Sequence, residues 1–78
     1  MDITAAQCRA ARALLGIKQS DLAEISRVSQ RTIAHFEQGE RQPVPSTLDA
    51  LRRALEEAGV QFIPENGGGA GVRLKSPQ

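Results

Sequence analysis

Seventy-eight residues suffice for one domain and are too few for two. The single cysteine, Cys8, rules out an intrachain disulfide and fits a reducing compartment. A formal charge of +1 excludes the strong basic excess that by itself points to nucleic acid.

The arrangement of charge says more than its sum. Arg9, Arg12, Lys18, Arg27 and Arg31 dominate the first part of the chain, whereas Glu56, Glu57 and Glu65 lie toward the other end. That distribution permits a polyanionic partner without arguing for one. The start, Met1-Asp2-Ile3-Thr4, has no basic region leading into an apolar run, so no signal peptide is expected. No apolar stretch is long enough to cross a bilayer, and the expectation is a cytoplasmic protein without a membrane association.

Four helical segments follow from punctuation and periodicity. The first opens after Thr4, with Gln7 completing a capping-box pattern, and runs to Leu15, where Gly16 stops it. Cys8, Ala11, Leu14 and Leu15 form its expected buried stripe. The second spans about Gln19 to Ser26, with Leu22, Ala23 and Ser26 turned inward. Ser29 caps a third, Gln30 to Gln38, which carries Ile33, Phe36 and Glu37 along one side and ends at Gly39.

Residues 39–46 read as a loop because Pro43 and Pro45 oppose regular helix. Ser46 is the expected cap of a fourth helix, with Asp49 at its positive end. Leu48, Leu51 and Leu55 follow at helical spacing, and Gly59 closes the run. Beyond it, Val60-Gln61-Phe62-Ile63 and Val72-Arg73-Leu74-Lys75 alternate like short strands around a Gly-rich turn. An isolated hairpin is marginal in water, so this one must pack on the helices, pair with a second copy or stay disordered. Residues 76–78 form a fraying tail. The expected architecture is mainly α, a compact four-helix unit over 1–59 followed by a C-terminal β-hairpin and tail over 60–78.

The second and third segments are joined only by Arg27-Val28-Ser29, and both carry apolar positions toward one side. In this arrangement one helix braces another whose first turn and outer face stay free to enter a major groove.

At these residues the chain resembles the lambda-repressor-like, Cro/Xre-type helix-turn-helix proteins. The resemblance runs from about Arg9 to Leu55. It rests on Arg12-Ala13-Leu14-Leu15-Gly16-Ile17-Lys18-Gln19-Ser20-Asp21-Leu22-Ala23 and on Val28-Ser29-Gln30-Arg31-Thr32-Ile33-Ala34-His35-Phe36-Glu37-Gln38-Gly39. It continues through Pro43 into Thr47-Leu48-Asp49-Ala50-Leu51.

The resemblance implies that Gln19 touches DNA backbone and helps orient a base-reading residue. It places Gln30, Arg31 and His35 on the exposed face of the recognition helix, with Thr32 beside them. Chemistry agrees, because glutamine can pair bidentately with adenine and arginine with guanine. Arg41 and Gln42 in the following loop, with Lys18, are candidate phosphate contacts. Arg12 and Glu37 match a structural ion pair of the family and are assigned to architecture. Two positions depart from the family pattern. Lys18 stands where relatives have a capping Ser or Thr, and Arg27 where glycine is frequent.

Other features carry no function. His35 is the only histidine and has no metal-ligand spacing around it. Residues 67–71 lack the lysine and hydroxyl of a phosphate loop. Cys8 reads as a packed thiol, and Arg9, Arg52 and Arg53 as solvated helix faces. Neither an enzyme nor a cofactor or metal is implied. The leading expectation is a DNA-binding transcriptional regulator, a repressor binding double-stranded DNA at an inverted repeat as a homodimer. The alternatives are an antitoxin that neutralises a toxin partner and represses its own operon, and a module that binds only protein.

Overall fold

The computed structural model describes residues 2–77. Met1, first residue of the expected 1–59 unit, and Gln78, last of the expected fraying tail, lie outside the described residues. Four helices and a hairpin follow in order: α1 (Ala5–Leu15), α2 (Gln19–Ser26), α3 (Gln30–Glu37), α4 (Pro45–Ala58), β1 (Val60–Ile63) and β2 (Gly71–Leu74).

Local chemistry sets most of the boundaries. The Thr4 hydroxyl accepts from the Gln7 N–H at 3.1 Å while the Gln7 Oε1 accepts from the Thr4 N–H at 2.8 Å, so α1 opens on a reciprocal cap. It ends at Gly16 with φ 69°, and the Ile17 N–H folds back to the Arg12 carbonyl at 3.1 Å. Lys18 gives α2 no side-chain cap; instead its backbone N–H donates to Asp21 Oδ2 at 2.9 Å. Ser29 caps α3, its hydroxyl accepting from the Thr32 N–H at 3.1 Å.

α4 starts differently from the expectation. Val44 is the N-cap, without a side-chain bond, and Pro45 is the first helical residue, so Ser46 lies inside the helix rather than before it. Proline at that position forfeits an N–H that has no helical partner anyway, and its fixed φ already suits a helix. Three other boundaries move by one residue: α3 ends at Glu37 with Gln38 as C-cap, and β2 begins at Gly71 and ends at Leu74.

The core draws on every element. Cys8 and Ala11 of α1, Leu22 of α2, Ile33 and Phe36 of α3, and Leu48, Leu51 and Leu55 of α4 are all buried. Leu14 is not part of it. At 38% exposure it faces outward, and Leu15 is only half-buried, so the expected stripe of α1 narrows to Cys8 and Ala11 with Gln7 beside them. Ser26 is half-buried and satisfies its hydroxyl on the Leu22 carbonyl at 2.6 Å.

The two strands pair antiparallel, Val60 opposite Leu74 and Phe62 opposite Val72. Val60 and Phe62 are buried with the helical core, and Val72 and Leu74 pack partly against it. The hairpin lies on α1, with β1 also against α4. Its inner face thus shares one apolar core with the helices.

Candidate nucleic-acid interface

α2 and α3 are joined by a turn in which Arg27 adopts the left-handed conformation, φ 59° and ψ 27°. This residue is the only non-glycine with positive φ among the described residues. The conformation reverses the chain within three residues, after which Ser29 starts α3. The bound Ser29–Thr32 hydroxyl pair, 2.8 Å apart, tightens that first turn.

α3 is sharply two-sided. Ile33, Phe36 and Glu37 are buried, whereas Gln30 and Arg31 are exposed and Thr32 and His35 half-buried. The first turn and outer face of the helix are therefore free, and its inner face is fixed by α1 and α2.

Glu37 anchors the other end of α3. Its side chain is 2% exposed and pairs with Arg12 of α1, Nη2 to Oε1 at 2.6 Å and Nε to Oε2 at 2.7 Å. The Gln19 Nε2 donates to Oε1 at 2.9 Å, and the Cys8 thiol to Oε2 at 3.3 Å. Burial alone would raise the Glu37 carboxyl, but the bonds from Arg12, Gln19 and Cys8 outweigh it and hold the group below its ordinary value. The hydrogen bond to Glu37 keeps Arg12 raised despite its partial burial. Burial, with Glu37 beside it, pushes the Cys8 thiol up to about 12, where it is neither nucleophile nor ready ligand.

The candidate residues divide among three places. Arg31, Thr32, His35 and Arg41 come together around a surface groove of about 510 Å³, closed by Glu40 and Pro43. Gln42 lies in an adjoining depression that Arg41 also lines, with Asp2, Ile3 and Phe36 among its neighbours. Gln19 sits at the start of α2 with its amide committed to Glu37, and Lys18 is exposed just before it.

Two residues of this region escape sequence reasoning. Arg9 is exposed, as expected of a solvated helix face, yet it also donates from Nη1 to the Glu37 carbonyl and so closes the end of α3. Its acceptor is a backbone oxygen 28 positions away, which no side-chain pattern records. Glu40 enters the groove only because the turn after α3 folds back, its N–H donating to the His35 carbonyl at 2.9 Å. Among the described residues no group of His, Cys, Asp and Glu could hold a metal ion, and no helix is long and apolar enough to cross a membrane.

Two short helices meeting at a tight turn, the second anchored inside and free at its first turn, define a helix-turn-helix module. Residues 9–59, more than half of the chain, match the family model described as helix-turn-helix. The chain belongs to the lambda-repressor-like, Cro/Xre-type helix-turn-helix family of DNA-binding transcription regulators. No curated protein matches it.

Proposed function

We propose that the protein is a repressor that binds an inverted repeat as a homodimer, with α3 in the major groove of each half-site. The observation that carries this reading is the division of α3: Gln30 and Arg31 exposed in its first turn, Ile33, Phe36 and Glu37 buried behind them. Gln30 suits adenine and Arg31 guanine. Thr32 offers a methyl to thymine, and His35 a ring nitrogen to a base edge or phosphate. Lys18, Arg41 and Gln42 contact phosphates and set the register. Gln19, its amide nitrogen held by Glu37, keeps a carbonyl oxygen with which to orient a base-reading donor.

One module buries too little surface for high specificity, so two copies about one helical turn apart are needed. Residues 60–78 are the proposed dimerisation element, through outer strand edges that the two-stranded sheet leaves unpaired. The antitoxin alternative would need the same residues for its toxin, yet Val60 and Phe62 are already committed to the core.

The test is selection of bound sites from random duplex DNA at two salt concentrations. A palindromic motif whose binding weakens steeply with salt is expected; failure to enrich any sequence overturns the reading. Arg31→Ala relaxes preference at one base pair per half-site, at a cost of about 1–3 kcal/mol. Sedimentation of the full chain at DNA-binding concentrations gives a dimer, and a monomer there removes the dimeric part of the proposal.

A further inference from the structure

The groove that carries Arg31 and Arg41 also carries an anion. Glu40 lines it with those two guanidiniums, is exposed, and is anchored to the end of α3 by its N–H bond to the His35 carbonyl. Among the described residues its carboxylate makes no ion pair with either arginine; the ion pairs are Arg12–Glu37, Asp49–Arg52, Asp49–Arg53 and Glu56–Arg52. The Glu40 backbone is thus held beside the end of α3, and its carboxylate stays without an ion pair on the face proposed to meet DNA.

We infer that Glu40 is an affinity-setting residue that holds this face's binding to duplex DNA down by opposing the phosphate backbone. The inference rests on the DNA reading above. An ionised carboxylate has no proton to donate to a phosphate oxygen, so near the backbone it can only repel. Cations gain affinity there by releasing counterions from phosphates, and a neighbouring carboxylate cancels part of that gain. The groove sets only two guanidiniums, Arg31 and Arg41, against this one carboxylate, so the anion offsets a large share of its local positive charge. With backbone attraction reduced, the base contacts of Gln30 and Arg31 decide where the protein stays.

The experiment compares the full chain with Glu40→Gln on two probes, the duplex enriched by selection and a randomised duplex pool, over a salt series. Glu40→Gln should bind both probes about three- to tenfold more tightly at low salt. The gain should shrink as salt rises, and base preferences should stay unchanged. Glu40→Lys should gain more than Glu40→Gln on both. Unchanged affinity overturns the inference. So does weaker binding of the enriched duplex with altered preference at one base pair, which would make Glu40 a base reader. If the unsubstituted protein itself shows no salt-dependent binding to either probe, the DNA reading fails and Glu40 with it, an outcome read without any variant.

Discussion

Arg12 and Glu37 meet through two parallel hydrogen bonds, 2.6 and 2.7 Å long, that join the last turn of α1 to the last residue of α3. Through the same carboxylate Gln19 ties in the start of α2. One buried group thereby fixes three helices around the end of α3 opposite its exposed first turn. The orientation of that turn depends on a charge cluster that reaches the proposed DNA contacts through Gln19 and makes no hydrogen bond to Gln30 or Arg31.

Removing one partner should be far worse than removing both. Arg12→Met leaves the Glu37 carboxylate buried without its cation and should cost about 3–5 kcal/mol. Combining it with Glu37→Leu should recover much of that loss, because an apolar pair of similar volume avoids burying any charge. Urea unfolding of both variants checks the expectation; a double variant less stable than Arg12→Met contradicts it.

The same cluster makes the fold acid-sensitive. The Glu37 carboxyl titrates below its ordinary value in the folded chain. Its stabilisation is therefore complete above the unfolded carboxylate value, about 4.3, and is lost as pH falls through the lower folded value. Urea midpoints measured from neutral pH downward should drop below that point. In Glu37→Gln the drop should be smaller, from a lower starting stability.

Most helix ends are legible in the residues, because Gly16, Gly39 and Gly59 stand where the chain needs positive φ, at 69°, 77° and 126°. The start of α4 is harder to read. Ser46 has the better capping side chain, yet the fixed φ of Pro45 suits the first helical position and brings the start forward. Leu14 shows the limit of periodicity: it has helical spacing from Ala11 but faces outward, since a three-turn helix against a small core has a narrow buried stripe. The exposed face of α3 follows from the burial of Ile33 and Phe36. The groove does not, because it depends on a turn that returns Glu40 and Arg41 beside His35.

Arg27 holds a conformation that costs an L-residue with a Cβ about 1–2 kcal/mol. Glycine removes that cost but loses more freedom on folding. Arg27→Gly should therefore raise stability modestly, by about 0.5–1 kcal/mol. The gain would appear as a higher urea midpoint with an unchanged slope. A loss of stability would mean that the arginine side chain contributes more than its backbone costs.

Cys8 is fully buried, with its thiol pushed up to about 12. An aromatic disulfide reagent at mildly alkaline pH should leave the native chain unmodified on the timescale that labels the urea-unfolded chain completely. The native rate should rise with sub-denaturing urea as opening becomes more frequent. Immediate labelling of the native protein would contradict the burial of Cys8 between α1 and Glu37.

Gln7 links helix and hairpin through one side chain. Its Nε2 donates to the Ile63 carbonyl at 3.3 Å and the Gly71 carbonyl at 2.9 Å, the two residues that pair at the turn end of the hairpin. Its Oε1 meanwhile completes the cap on Thr4. Gln7→Leu keeps apolar contact but removes both bonds to the hairpin carbonyls and breaks half of the cap, a loss of about 1–3 kcal/mol. Thr4→Ala is the control, since it removes only the cap hydroxyl, at about 1 kcal/mol. Amide hydrogen exchange separates the two effects: hairpin amides should exchange faster in Gln7→Leu, whereas Thr4→Ala should loosen mainly the first turn of α1. If the hairpin also joins two copies, Gln7→Leu should weaken the dimer in sedimentation, because an edge must be held still before another strand can pair with it. Equal hairpin exchange in the two variants would show that Val60 and Phe62 alone hold the strands in place.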